Sequence, residues 1–359
     1  MSNIRDKVQK EAVDAYLNSD GKGILRVSVR VGKCRISCKI MEELDVTRVL
    51  IVYPQVKIQQ SWEDEFEKLG YRPTDVTYTT YVSLEKLLGE QYDIIIYDEC
   101  DDTSERQREV METFLQETEC VIGLTGTLNY QDKAELKDIG LDVIYEYDMQ
   151  DGIEDGILPP YHIHVIHCPL DNKERCYTTS KGRKITEKQK YDNFSFVISR
   201  LKEEGKDPFH MYLSRARILV DAPSRLRRCK KLITQLEGKR TLFFGGSQKF
   251  VEALGIPTFH SKTKDKTPYH DFMEGRIDKL GVVAMMKSGV TIPKLQVVVI
   301  AKIESNSSKL EQQIGRCLLM DYENKKAQII IVGSGEPQEE KRLKKALSNL
   351  DKRCITYGI

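Results

Sequence analysis

Three stretches of the first half, RVLIVYP (48–54), DIIIY (93–97) and CVIGL (120–124), are apolar at nearly every successive position. A strand that alternates apolar and polar residues can keep one face wet. A strand that is apolar on both faces must be covered on both, which is the condition of a parallel sheet between two layers of helices. The intervening segments fit that requirement. Residues 4–18 read as a helix, broken by Asn18-Ser19-Asp20-Gly21-Lys22-Gly23; residues 24–29 read as a strand, followed by a Gly-Lys turn and a helix to about residue 43. SWEDEFEKLG (61–70) predicts a helix with Ser61 as N-cap, Asp64 at the capping-box position and Gly70 as its stop. Residues 75–80 suggest a short strand and 82–88 a helix. RTLFFGG (240–246), LGVVAMM (280–286), LQVVVIA (295–301) and AQIIIVG (327–333) repeat the buried-strand pattern. The chain of 359 residues therefore reads as two α/β domains, 1–157 and 158–359. A basic insertion, helical in pattern, is expected over about 171–232.

Ligands of such sheets bind beyond the C-terminal ends of the strands. Gly32-Lys33, Asp98-Glu99 and Thr125-Gly126-Thr127 all follow closely on a strand. Gly-Lys at a strand-to-helix turn aims backbone N–H groups, a helix N-terminus and an ammonium at one point, which is an anion site. Taken alone the dipeptide is weak support, because VSVRVGKCRIS (27–37) lacks the first Gly of G-x-x-x-x-G-K-[ST] and has Cys34 where Ser or Thr is usual. Asp98-Glu99, 65 residues after Lys33 and at the end of another strand, supplies the complement. One carboxylate can hold Mg²⁺ through water and the next can orient an attacking water.

Charge and composition narrow the partners. Apolar residues make up 40% and charged residues 31%, as in an ordinary soluble domain. No apolar run approaches the ~18 residues of a membrane span, and the first residues lack a signal-peptide core. Nine Cys without a C-x-x-C pair suggest reduced thiols and a cytoplasmic protein. The net charge of +1 hides an asymmetry: residues 171–240 carry 19 Lys/Arg against 9 Asp/Glu, so +10, and the remainder −9. That excess suits a polyanion contact, or a solvated helical face.

With these motifs in place the chain resembles the superfamily 2 helicases and translocases, ATP-driven proteins with two RecA-like domains in tandem. RDKVQKEAV (5–13) is similar to the segment whose Gln, here Gln9, reads adenine. VRVGKC resembles motif I in an Arg-x-Gly-Lys form seen in phage members, VLIVYPQVKIQQSWEDEF motif Ia, TTYVSL (79–84) motif Ib, IIIYDECD motif II and GLTGTL (123–128) motif III. In the second half LFFGGSQKF (242–250) resembles motif IV, the stretch through GVTIP (289–293) motif V, and SSKLEQQIGRCLLMD (307–321) motif VI.

The resemblance implies ATP and Mg²⁺ as cofactors. Lys33 would hold the phosphates, Asp98 the metal and Glu99 the water, with Gln312 and Arg316 completing catalysis. Gln9, Arg30, Gly32, Cys34, Arg35 and Gly289 would line the nucleotide. Pro54, Thr79, Thr80, Thr125, Thr127, Ser247, Ser288 and Thr291 would face nucleic acid, although each hydroxyl could equally be a cap. The implied partner is nucleic acid, DNA ahead of RNA, met by a monomer in the cytoplasm, that of a host cell if the chain is phage-encoded. Two departures bear on turnover. Leu319 stands where motif VI usually has a second Arg, for which Arg342 or Arg353 are substitutes without further support. Cys34 offers Mg²⁺ a soft thiol in place of a hydroxyl. Both keep open a nucleic-acid-binding protein that has lost the motor.

YHIHVIHC (161–168) resembles a zinc site at first sight. Strand alternation puts His162 and His164 on one face and His167 on the other, so an edge strand opening the second domain is the reading favoured. Cys34 and Cys38, one helical turn apart, raise a similar question, with Cys38 read as core.

Overall fold

The computed structural model describes residues 2–28, 30–283, 292–304, 307–318, 321, 325–348 and 350–358. The side chains of residues 2, 3, 57, 307–309, 311, 312 and 316 are outside that description. The chain divides into two compact units, Met1–Leu158 and Pro159–Ile359.

Unit one contains α1 (Ser2–Leu17), β1 (Lys22–Val27), α2 (Lys33–Glu43), β2 (Arg48–Tyr53), α3 (Gln59–Leu69), β3 (Asp75–Thr80), β4 (Ile94–Asp98), α4 (Glu105–Glu117), β5 (Cys120–Thr125), α5 (Tyr130–Asp138), β6 (Val143–Tyr147) and α6 (Met149–Glu154). Its six strands are parallel in the order β3-β2-β4-β5-β1-β6. The strands split by alternation, as their composition requires. Leu25, Val49, Ile51, Ile94, Ile96, Ile122 and Leu124 pack on one side with Ala12, Ile36, Ile40, Trp62 and Phe66. Ile24, Leu50, Val52, Ile95, Tyr97 and Val121 pack on the other with Met111, Phe114 and Leu136.

Unit two contains β7 (Tyr161–His167), β8 (Tyr177–Thr178), β9 (Lys184–Ile185), α7 (Glu187–Glu203), α8 (Phe209–Val220), α9 (Pro223–Gln235), β10 (Thr241–Phe244), α10 (Gln248–Glu252), β11 (Thr258–Phe259), α11 (Thr267–Glu274), β12 (Lys279–Val282), β13 (Val297–Ile300), α12 (Ser307–Leu318), β14 (Ala327–Gly333), α13 (Pro337–Ala346) and β15 (Ile355–Gly358). Its main sheet is parallel in the order β11-β12-β10-β13-β14-β7-β15. The fold is thus the expected one, two parallel-sheet RecA-like halves in tandem.

Four local expectations need correction. The helix holding Trp62 begins at Gln59 after Ile58, so Ser61 lies in its first turn and caps nothing; Gly70 does end it, at φ 64°. The segment 82–88 forms only a 3₁₀ turn, Leu84–Leu87, too short to close an α-helical ladder. Strand β7 is not an edge strand, because β15 pairs outside it. The insertion is not wholly helical: β8 and β9 form an antiparallel hairpin ahead of α7.

Candidate active site

The loop between β1 and α2 turns on two left-handed residues, Arg30 at φ 69° and Gly32 at φ 102°. Val31 between them is fully buried and anchors the turn. A side chain at Gly32 would be strained at that φ, and its Cβ would stand 3.1 Å from Gln9 Nε2. Gly32 is the N-cap of α2 and supplies no side-chain cap, which leaves the first N–H groups of that helix for an anion.

Lys33 opens α2, and its Nζ lies 2.9 Å from Glu99 Oε1. Glu99 follows directly on β4 and is itself left-handed, at φ 52°. Its other oxygen, Oε2, is buried without a hydrogen-bond partner among the described residues. Burial works against the Lys33 charge, but Glu99 and Asp98 outweigh it and hold the ammonium's proton more tightly than usual. Asp98 is buried at the strand end. Its Oδ2 accepts from the Trp62 indole at 3.2 Å, and its carbonyl accepts from the Tyr81 hydroxyl at 3.0 Å. Burial pushes its carboxyl up to about 6 against the pull of Lys33, with the Glu99 charge adding to the rise.

Asp101 ties this corner to the next strand end. Its carboxylate accepts from Thr125 Oγ1 at 2.7 Å and Thr127 Oγ1 at 3.2 Å. The Thr125 hydroxyl in turn reaches the Thr127 carbonyl at 2.6 Å. A Cβ on Gly126 would lie 3.5 Å from Lys33 Nζ, so this turn runs beside the ammonium. Three segments far apart in sequence therefore meet at one point, because β4, β5 and β1 are neighbours in the sheet.

Several anticipated residues are placed differently from expectation. Thr125 and Thr127 are buried and their hydroxyls engage Asp101, which braces the site. Gln9 is buried; its Nε2 donates to Val31 O at 2.6 Å and its Oε1 accepts from Lys39 at 3.0 Å. It holds the loop to α1 and α2, and reading adenine would require it to give up one of these bonds. Arg30 and Arg35 are exposed around the loop.

Cys34 lies close enough to Asp98 to feel its charge. Burial first, and that carboxylate second, push the thiol well above its usual range. It is a neutral, soft group and a poor Mg²⁺ ligand. The carboxylates, by contrast, fit the metal of a nucleotide, and the bare turn of α2 with Lys33 fits its phosphates.

Pro54, Thr79 and Thr80 stand at the ends of adjacent strands, with Tyr53 opposite Thr80. Thr79 is buried, and Pro54 and Thr80 are half-buried. The exposed Val56 and Val82 flank them, a pair that no motif signalled. Ser247 caps α10: its hydroxyl accepts from Phe250 N at 3.0 Å and donates to Asp221. Gln312 and Arg316 lie on α12, with their side chains outside the described structure. Ser288, Gly289, Thr291 and Leu319 fall outside the described residues altogether. His162 and His164 both meet Thr356, while His167 turns to Glu340 at 3.3 Å, as alternation requires. Among the described residues no group of three His, Cys, Asp or Glu is gathered for a metal, and no helix is long and apolar enough to cross a membrane.

Trp62, Tyr81 and Asp101 are the residues that sequence reasoning did not assign. Trp62 was visible inside a motif, but the partner of its N–H was not.

Residues 224–319 match the helicase conserved C-terminal domain. A subunit of the type I restriction enzyme EcoAI endonuclease from Escherichia coli is 23% identical over 203 residues, 48% of this chain but only 25% of that protein. Among solved structures, a variant of S. cerevisiae Dbp5 bound to RNA and ADP BeF3 superposes with a TM-score of 0.58 at 12% identity, over 98% of this chain and 89% of that one. The ATP-dependent type ISP restriction-modification enzyme LlaBIII bound to DNA gives 0.56 at 14% identity, over 98% of this chain and 31% of that one.

Proposed function

We propose, from the premise that the fold and the C-terminal domain are those of a superfamily 2 helicase, that the chain is a nucleic-acid-dependent ATPase that moves along or unwinds a strand, DNA ahead of RNA. The observation that carries this is the meeting of Lys33, Asp98, Glu99 and Asp101 beside the uncapped N-terminus of α2. Both the EcoAI subunit and LlaBIII are restriction enzymes, which favours DNA; Dbp5 was bound to RNA.

In this reading Lys33 binds phosphate oxygens once it leaves Glu99. Asp98, held in place by Trp62 and Tyr81, would hold the metal, and Mg²⁺ bound with the nucleotide would neutralise charge on the phosphates. Glu99 orients water through Oε2, which has no partner among the described residues. Gln312 and Arg316 complete the charge stabilisation, and Arg30, Arg35 and Gly289 contribute to nucleotide binding. Pro54, Thr79, Thr80, Ser247, Ser288 and Thr291 contact the strand's backbone, which gives grip without sequence reading. The division into domains 1–157 and 158–359 is part of the same proposal.

The test is ATP hydrolysis with and without single-stranded DNA, duplex DNA and RNA, beside Lys33→Ala. Turnover that nucleic acid stimulates and Lys33→Ala abolishes supports the motor. Binding of nucleic acid without such turnover supports the second reading, a helicase fold that has lost hydrolysis, which the neutral thiol of Cys34 favours.

A further inference from the structure

Part of the basic charge of 171–240 is engaged within the helices that make up most of the segment. On α9, Arg225 is buried against Glu339 at 2.6 Å. Arg227 reaches both Asp171 at 2.5 Å and Glu174 at 2.6 Å. On α7 and α8, Lys188 meets Asp192 and Glu336, Arg200 meets Glu204, and Arg215 lies buried beside Tyr191 and Tyr212.

The hairpin concentrates its cations in one short stretch. Its neighbouring acids are engaged elsewhere: Asp171 and Glu174 bind Arg227, and buried Glu187 accepts from Asp171 N and from Ser224. Arg175, Lys181, Arg183 and Lys184 are all exposed, and none forms an ion pair among the described residues. The tip is ordered by its own bonds, Thr179 N to Arg183 O at 2.9 Å, Gly182 N to Thr179 O at 2.9 Å and Arg183 N to Thr179 Oγ1 at 3.1 Å. At its base Lys190 sits 3.8 Å from the centre of the Tyr177 ring. Burial makes the Lys190 ammonium easier to deprotonate; Cys176 opposes this, and the charge of Lys249 on α10 adds to it. Like charges held together without counter-charges are a standing repulsion that a polyanion relieves. The tip, Thr179-Ser180-Lys181-Gly182-Arg183, carries no apolar side chain to insert into a bilayer.

We propose that the β8–β9 hairpin is a nucleic-acid contact, in which Arg175, Lys181, Arg183 and Lys184 engage backbone phosphates without reading sequence. This rests on the nucleic-acid reading above and adds the element that supplies the grip. The test compares the full chain with a Lys181→Ala/Arg183→Ala/Lys184→Ala variant on a duplex and a single strand, each of two unrelated sequences, across a salt series. Three lost phosphate contacts should lower the slope of log affinity against log salt by about 2 to 3, and weaken binding at 0.1 M salt by on the order of 10²-fold, equally for both sequences. ATP hydrolysis without nucleic acid and the unfolding midpoint should not move, and Lys181→Arg/Lys184→Arg should retain binding. An unchanged slope in the triple variant, with normal binding by the parent, overturns the hairpin's role alone. A parent that binds vesicles of anionic phosphatidylserine but neither nucleic acid overturns the proposal together with the reading beneath it.

Discussion

Glu99 occupies Lys33 in this structure, so the same carboxylate that should serve hydrolysis must compete with the nucleotide for the ammonium. The pair is 2.9 Å long and its side chains are 16% and 25% exposed. A hydrogen bond to a charged group contributes about 1.5–3 kcal/mol when well shielded. Partial exposure reduces this to roughly 1–2 kcal/mol. Glu99→Gln keeps the shape and removes the charge. It should tighten nucleotide binding by about 5- to 30-fold, the ratio that this energy represents. Hydrolysis should fall at the same time by on the order of 10²–10⁴, the usual contribution of a positioned base. Titration with a fluorescent ADP in Mg²⁺ reads the first effect, and single-turnover hydrolysis in nucleic acid reads the second. Affinity that stays level or weakens would show that the pair does not compete with phosphate. Retained hydrolysis would remove Glu99 from the chemistry.

Cys34→Thr supplies the hard oxygen that the site lacks. It should lower the Mg²⁺ concentration needed for half-maximal nucleotide binding by roughly threefold to tenfold; a Mg²⁺ titration at fixed nucleotide that shows no shift refutes this. In unit two, Arg225→Met and Glu339→Leu should each destabilise by about 3–5 kcal/mol, since each strands a buried charge, while the double variant should lose less than either alone; additive losses in urea unfolding would contradict a paired role. Asp101 is held protonated up to about 7, by burial first and Glu99 second, whereas the unfolded chain releases that proton near roughly pH 4. The folded state then binds the extra proton across this window, so its contribution to stability is present below pH 4 and is lost as pH rises towards 7. Asp101→Asn should flatten that slope in urea midpoints measured across pH, and an unchanged slope would count against the assignment.

Much of this protein follows from local pattern. Strands apolar on both faces, such as 48–53 and 94–98, have only a covered parallel sheet to enter, and AQIIIVG forms β14 at the residues anticipated. The positions of Gly32, Lys33, Asp98 and Glu99 at strand ends were likewise legible, because a turn after a buried strand is where polar residues can surface. Tertiary structure decided what these residues touch. Strand order sets β4 and β1 on either side of β5, and that alone brings Asp101 to Thr125 and Thr127, which sequence reading had assigned to nucleic acid. It also gave the Trp62 indole to Asp98 and made Gln9 a brace for the loop. The basic segment shows the same division. Composition revealed the excess of positive charge, but an ion pair depends on which acids fold within reach, and only the fold shows that Arg225 and Arg227 find acids while, among the described residues, Lys181, Arg183 and Lys184 form no ion pair.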